Sequence, residues 1–141
     1  MGRSAEVLVD TSVWIDFFNG EKHAVENLEG LMKADRVVIC GQILQEVLQG
    51  ARDEKAFRKL AKEMRLWRTE AEQPEDFEEA ARIFARLRWK GVTIPPTDCL
   101  IAGVALRRDL SLYAHDADFE AVSGLNLFSL APPTPPPRSK R

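Results

Sequence analysis

Apolar residues along the chain follow two alternating rhythms. Short unbroken runs occur at EVLV (6–9), RVVIC (36–40), SLYA (111–114) and LNLF (125–128). They are too brief for helices and predict strands. Between them the apolar positions return every three or four residues. Val25, Leu28, Leu31 and Met32 share one face, as do Phe57, Leu60 and Met64, and then Phe77, Ala80, Ile83, Phe84 and Leu87. These segments predict amphipathic helices. Strands without polar alternation are buried on both faces, which is the state of a parallel sheet covered by right-handed helical crossovers. The predicted fold class is therefore α/β: a three-layer α/β/α sandwich around a central, mainly parallel sheet of four or five strands. Residues 52–90 break the alternation, with two charged helical segments in succession and Gln73–Pro74 between them, and this predicts a helical hairpin inserted beside the sheet. Residues 1–131 form one domain in this reading. Residues 132–141, proline-rich and basic, form a disordered tail outside it.

Composition narrows the classes. A chain of 141 residues with 45% apolar content suits a single domain with its own core. Its 20 basic and 22 acidic residues leave a net charge of -2, which excludes a strongly basic nucleic-acid binder and requires any such contact to be local. Cys40 and Cys99 belong to no C-x-x-C pair, so they predict buried thiols of a reduced protein rather than a zinc ribbon. The N-terminus lacks the apolar run of a signal peptide, and no segment approaches the roughly 20 apolar residues of a membrane span. These features predict a soluble cytoplasmic protein without membrane contact. No phosphate-binding glycine loop follows any strand.

The acidic residues carry the chemistry. Ligands of an open parallel sheet bind beyond the carboxyl ends of its strands. Asp10 follows the first strand in VLVDTSVWIDFF, and Asp116 and Asp118 follow SLYA in HDADF. Crossover helices begin at that same rim. In IPPTDCLIAGVALRRD, Pro95 and Pro96 end the preceding segment, Thr97 is the expected N-cap and Asp98 falls in the first turn, on the side of Ile101, Ala102 and Ala105. Glu46, in GQILQEVLQG, lies roughly 60° outside the apolar arc of its helix at about 100° per residue.

Each acid alone has a plain structural role as a cap, a turn residue or solvated surface. Together they do not, because acids from four segments converge on one rim and no Lys or Arg lies within three residues of Asp10, Glu46, Asp98 or Asp116. Unpaired, such charges repel and raise one another's pKa, and a divalent cation relieves the repulsion. An all-oxygen ligand set selects Mg²⁺ or Mn²⁺ over Zn²⁺. Asp10, Glu46, Asp98 and Asp116 are the candidate metal ligands and catalytic residues, with Thr11 and Ser12 as hydroxyl partners behind them.

The order and spacing of these acids resemble the PIN-domain ribonucleases, in particular the VapC-type toxins of toxin-antitoxin pairs. VLVDTSVWIDFF with Gly20 is similar to the family's first motif, Glu46 to its second, and TDCLIAGVALRRD with LYAHDADFEAVSGLNLF to its third and fourth. The resemblance implies a metal-dependent endoribonuclease, usually dimeric, whose cognate antitoxin covers the acidic site, and it adds Asp118 to the candidate metal ligands. Transfer RNA and ribosomal RNA are both substrates it allows. The proline-rich tail has no counterpart in the motifs.

Two other function classes compete. A phosphohydrolase or receiver domain also uses an Asp after the first strand, but Ser12 stands where the phosphatase D-x-D motif has its second acid, and no adjacent acids precede Asp10. A catalytically silent RNA- or protein-binding module would be free to lose ligands, whereas the acid set here is complete. Other residues have two readings. Arg86, Arg88, Trp89 and Lys90 are equally an RNA contact or the solvated end of a helix. Arg107 and Arg108 complement a helix dipole and point away from the rim. His115 reads as structural, His23 as surface, and Trp14, Phe17 and Phe18 as packing against the core or a second subunit.

Overall fold

The computed structural model describes residues 5–129. The chain runs β1 (Val7–Val9), α1 (Thr11–Phe18), α2 (Lys22–Lys33), β2 (Val37–Cys40), α3 (Gly41–Gln49), α4 (Glu54–Met64), β3 (Arg68–Glu70), α5 (Pro74–Trp89), α6 (Pro96–Arg108) and β4 (Ser111–Tyr113), followed by a 3-10 turn over Ala117–Ala121. The strands form one sheet in the order β3-β2-β1-β4, and every pairing is parallel. Val7 stands opposite Val37 on one side and Ser111 on the other. Every residue of β1 and β2 is buried, as unbroken apolar runs in a doubly covered sheet require.

The order fixes the layers. From β1 to β2 to β3 the chain moves steadily outward, so right-handed crossovers put α1 to α4 on one face; the step from β3 back to β4 reverses direction and puts α5 and α6 on the other. Contacts agree, with α1 packed on α2 and α3, α3 on α4, and α5 on α6. The reversal lies between β1 and β4, whose carboxyl ends open the crevice where ligands of such sheets bind. Helix α6 is buried from Cys99 through Ala105 because it is sandwiched between the sheet and α5. Its Gly103 allows the α5 backbone to come close: a Cβ there would stand 3.1 Å from the Asp76 carbonyl oxygen.

The structure corrects the reading of residues 52–90. They are not a helical hairpin, because Arg68–Glu70 intervenes as the edge strand β3, paired through Val38↔Arg68, Ile39↔Thr69 and Cys40↔Glu70. Its RTE sequence carries no apolar run since an edge strand needs a backbone partner more than a buried face, and charged side chains suit an unpaired edge. LNLF adds only a parallel bridge, Leu112↔Leu127, flanked by Leu112 N–H donating to the Asn126 carbonyl at 2.9 Å and Phe128 N–H to the Leu112 carbonyl at 2.8 Å. Among the described residues the sheet proper has four strands. Two residues expected on buried helical faces are exposed, Phe57 at 40% and Phe77 at 57%. The proline-rich tail expected over 132–141 lies outside the described residues.

At the end of α6 remote from Asp98, Arg107 and Arg108 hold an ionic network. The Arg107 guanidinium donates to both oxygens of buried Asp76, at 2.7 and 3.0 Å, and to Glu70 at 3.0 Å; Arg108 pairs with Glu70 and Glu6. Asp76 in turn accepts from Gln73 N–H at 2.8 Å, closing the capping box that starts α5. Both cysteines are buried free thiols, and burial pushes the Cys40 thiol up to about 12.

Candidate metal centre

Asp10 ends β1 and starts α1. Its backbone N–H donates to the Tyr113 carbonyl of β4 at 2.8 Å, and its carboxylate accepts from Ser12 N–H at 3.1 Å and Ser12 Oγ at 2.6 Å. That is an N-cap arrangement, and it leaves Asp10 only 4% exposed. Burial outweighs the Ser12 hydrogen bonds and raises the Asp10 pKa, with the nearby Glu46 charge adding to the rise. The two readings of this residue, cap and ligand, are therefore compatible: Ser12 occupies one oxygen, Oδ2.

Asp98 lies in the first turn of α6, which begins at Pro96 with Pro95 as its N-cap; Thr97, the expected cap, is inside the helix. Proline at the first position needs no cap acceptor for its absent N–H, so the start shifts by two residues. Asp98 Oδ2 is buried and has no hydrogen-bond partner among the described residues. Oxygens of Asp98, Asp116 and Asp118 lie within 4.8 Å of one another. Asp116 caps the 3-10 turn by accepting from Asp118 N–H at 2.9 Å, which sets both carboxylates on the same side as Asp98. Burial first, then the charges of Asp10, Asp116, Glu46 and Asp118, push the Asp98 pKa up to about 7.

Glu46 projects from α3 toward the same charges. One oxygen accepts from Thr11 Oγ1 at 2.5 Å and the other from Gln42 Nε2 at 3.0 Å. The structure thus brings together Asp98, Asp116 and Asp118 directly and couples Asp10 and Glu46 to them electrostatically. Among the described residues no cation forms an ion pair with any of the five. An orphaned buried carboxylate oxygen beside four further acids fits a hard divalent cation.

One contributor escaped the sequence reading, and a second has the structural role expected of it. Glu72, beyond β3, accepts from Gly41 N–H at 3.1 Å and Gln42 N–H at 2.8 Å, capping the helix that carries Glu46. A Cβ on residue 41 would come within 2.8 Å of Glu72 Oε1, so a larger residue there would make the Glu72 side chain shift. The signal was hidden because the cap comes from 31 residues away. His115 is the second: its backbone N–H donates to Ser12 Oγ at 3.0 Å, tying the loop that carries Asp116 to the hydroxyl that holds Asp10. Its ring meets Asp16 at 2.6 Å, near Glu21, whose carboxylate caps α2 through His23 and Ala24 N–H. Those contacts account for this second group as structural.

Residues 7–125 match the model of the PIN domain family. The ribonuclease VapC11 of Mycobacterium tuberculosis is 34% identical over 122 residues, covering 83% of this chain and 91% of that protein. The chain belongs to the PIN domain family and, within it, to the VapC ribonucleases. Among solved structures, VapBC2 from Rickettsia felis, bound to a DNA fragment from its promoter, superposes with a TM-score of 0.76 at 21% identity, over 89% of this chain and 98% of that one. VapC20 of Mycobacterium tuberculosis, described as a sarcin-ricin loop cleaving toxin, superposes with a TM-score of 0.66 at 22% identity, over 85% and 96%. These likenesses are of fold.

Proposed function

We propose that this protein is a divalent-metal-dependent endoribonuclease, the toxin of a toxin-antitoxin pair, and that a cognate antitoxin holds it inactive. The observation that carries the reading is the buried, unpartnered Oδ2 of Asp98 amid acids from four segments of the chain. Its support from kinship is the 34% identity to a protein named a ribonuclease. Residues 1–131 are the nuclease domain, acting in the cytoplasm as a homodimer, and no helix among the described residues is long and apolar enough to cross a membrane.

In this reading Asp98, Asp116 and Asp118, with Asp10 and Glu46, hold Mg²⁺ or Mn²⁺. A cation held by these carboxylates would supply Lewis-acid chemistry, activating a water for attack on the phosphodiester and offsetting charge on the leaving group. The chain's own residues supply orientation. Ser12 fixes Oδ2 of Asp10, while Thr11 and Gln42 hold Glu46 from both sides. Burial of Asp10 and partial burial of Asp98 would strengthen the attraction between a bound cation and the negative phosphate.

The test incubates the purified protein and its Asp98→Ala variant with transfer RNA and ribosomal RNA in Mg²⁺, Mn²⁺ or EDTA and maps the cut ends. Discrete cuts that need both metal and Asp98 are expected. Cutting that persists in EDTA or in the variant overturns the metal-centre reading. Metal binding by folded protein without any cleavage moves the function to a silent binding module.

A further inference from the structure

The C-terminal end of α5 presents an indole that none of the described residues covers. Trp89 is 79% exposed, and among the described residues no ring stacks on it. Arg86, Arg88 and Lys90 surround it, all exposed. None forms an ion pair among the described residues, although Arg82 one turn earlier is paired with Glu79 at 2.8 Å. A helix dipole accounts for cations at this end. It does not account for a tryptophan left in water.

The platform is anchored to the core, and its cations lie across a groove from the end of the turn that carries Asp118. Leu87 is buried beneath it, and the helix closes with Gly91 at φ 85°, Gly91 N–H donating to the Arg88 carbonyl and Val92 N–H to the Leu87 carbonyl, both at 2.9 Å. This is the Schellman closure, in which glycine supplies the left-handed residue. Arg86 and Lys90 line a groove whose opposite wall is Ala121, Val122 and Ser123. That wall continues the 3-10 turn carrying Asp118, so the cations flank the element that supplies two of the site's acids. The groove's one acid, Glu79, is the partner of Arg82.

We propose that Arg86, Trp89 and Lys90 form a docking site for single-stranded RNA next to the metal centre, the cations holding phosphates and the indole stacking on a base. The inference rests on the endoribonuclease reading and adds how the substrate strand is held. A chain with net charge -2 and an acidic catalytic rim repels RNA unless cations stand beside that rim. A base is a sequence-tolerant partner for an exposed indole, since every base offers a π-face. A second copy of the chain fits poorly, because a two-fold contact centred on Trp89 would set Arg86, Arg88 and Lys90 against themselves.

The experiment measures binding of fluorescein-labelled, random-sequence single-stranded RNA in EDTA, where no cleavage competes, across a salt series, with cleavage in Mn²⁺ and sedimentation run in parallel. The variants are Trp89→Ala, Trp89→Phe and the double variant Arg86→Ala/Lys90→Ala; their exposure predicts unchanged melting temperatures. Trp89→Ala is expected to weaken binding about 5- to 100-fold while Trp89→Phe restores most of it. The double variant is expected to lower the salt slope by about 0.7 per cation removed. Wild-type RNA affinity and salt slope in all variants overturn the proposal, and if the protein still cuts RNA the nuclease reading stands without it. Loss of a dimer in Trp89→Ala at unchanged RNA affinity also overturns it, assigning the surface to a second copy. Weakened binding in a protein that cuts no RNA upholds the docking site and removes the nuclease.

Discussion

Thr11 donates its hydroxyl to Glu46 at 2.5 Å, joining two residues 35 apart in sequence at the mouth of the acidic site. The bond fixes one carboxylate oxygen while Gln42 fixes the other, so Glu46 enters the site pre-oriented. Thr11→Val keeps the shape and removes the donor. It is expected to reduce kcat/KM for RNA cleavage about 10- to 100-fold, the usual cost of losing a partner of a metal ligand, with a near-native circular dichroism spectrum. Full activity in this variant would show that Glu46 needs no such positioning.

Asp98 is the acid under the greatest strain from its neighbours. Burial first, and then four other carboxylates, raise its pKa, so without metal its charge destabilises the fold at neutral pH. Asp98→Asn is expected to raise the melting temperature of the metal-free protein at pH 8 by a few degrees, on the order of 1 kcal/mol once solvent screening is allowed for. The same variant should lose the rise that Mn²⁺ gives the wild type. A lower melting temperature in EDTA would mean that the carboxylate is structural.

The pH dependence has a definite sign. Asp98 is raised from 3.8 to about 7, and Asp10 is raised as well, so the folded state keeps protons that the unfolded chain has released. The resulting stability is complete below the unfolded value and is lost as pH rises through about 7. In EDTA the melting temperature should fall from pH 5 to pH 8, and Mg²⁺ or Mn²⁺ should reverse the fall because cations bind the deprotonated carboxylates. A melting temperature that rises over this interval in EDTA contradicts the assignment.

Arg107 supports the fold far from the chemistry. Its guanidinium satisfies both oxygens of Asp76, which is only 1% exposed, so Arg107→Ala leaves a buried carboxylate without its main partner. A loss of about 3 kcal/mol is expected from denaturant unfolding, moderated by water reaching the vacated space. Asp76→Asn/Arg107→Leu should recover part of it. If Arg107→Ala unfolds like the wild type, the network contributes little.

Much of this architecture was legible in the residues because it depends on local patterns. The unbroken runs VLV and VVIC announce doubly covered strands, and Asp10 directly after the first of them announces a rim. β3 left no such trace: RTE is polar, and its strand character comes from pairing with Val38–Cys40 across the sheet edge. Phe77 follows the helical period of buried neighbours, yet it stands outside because only a fold reveals which side of a helix lacks a cover.

The sequence by itself determined the parallel α/β class, the core strands and the positions of the acids, since periodicity and strand-end placement are properties of a residue and its near neighbours. Tertiary structure alone decided that Asp98 Oδ2 is left without a partner, that Glu72 caps α3 from 31 residues away, and that Arg86 and Lys90 lie across a groove from the turn bearing Asp118. Such relations join segments distant along the chain. Their energies come from burial and from charges a few ångströms apart, and those distances exist only once the sheet and its two helical layers have closed.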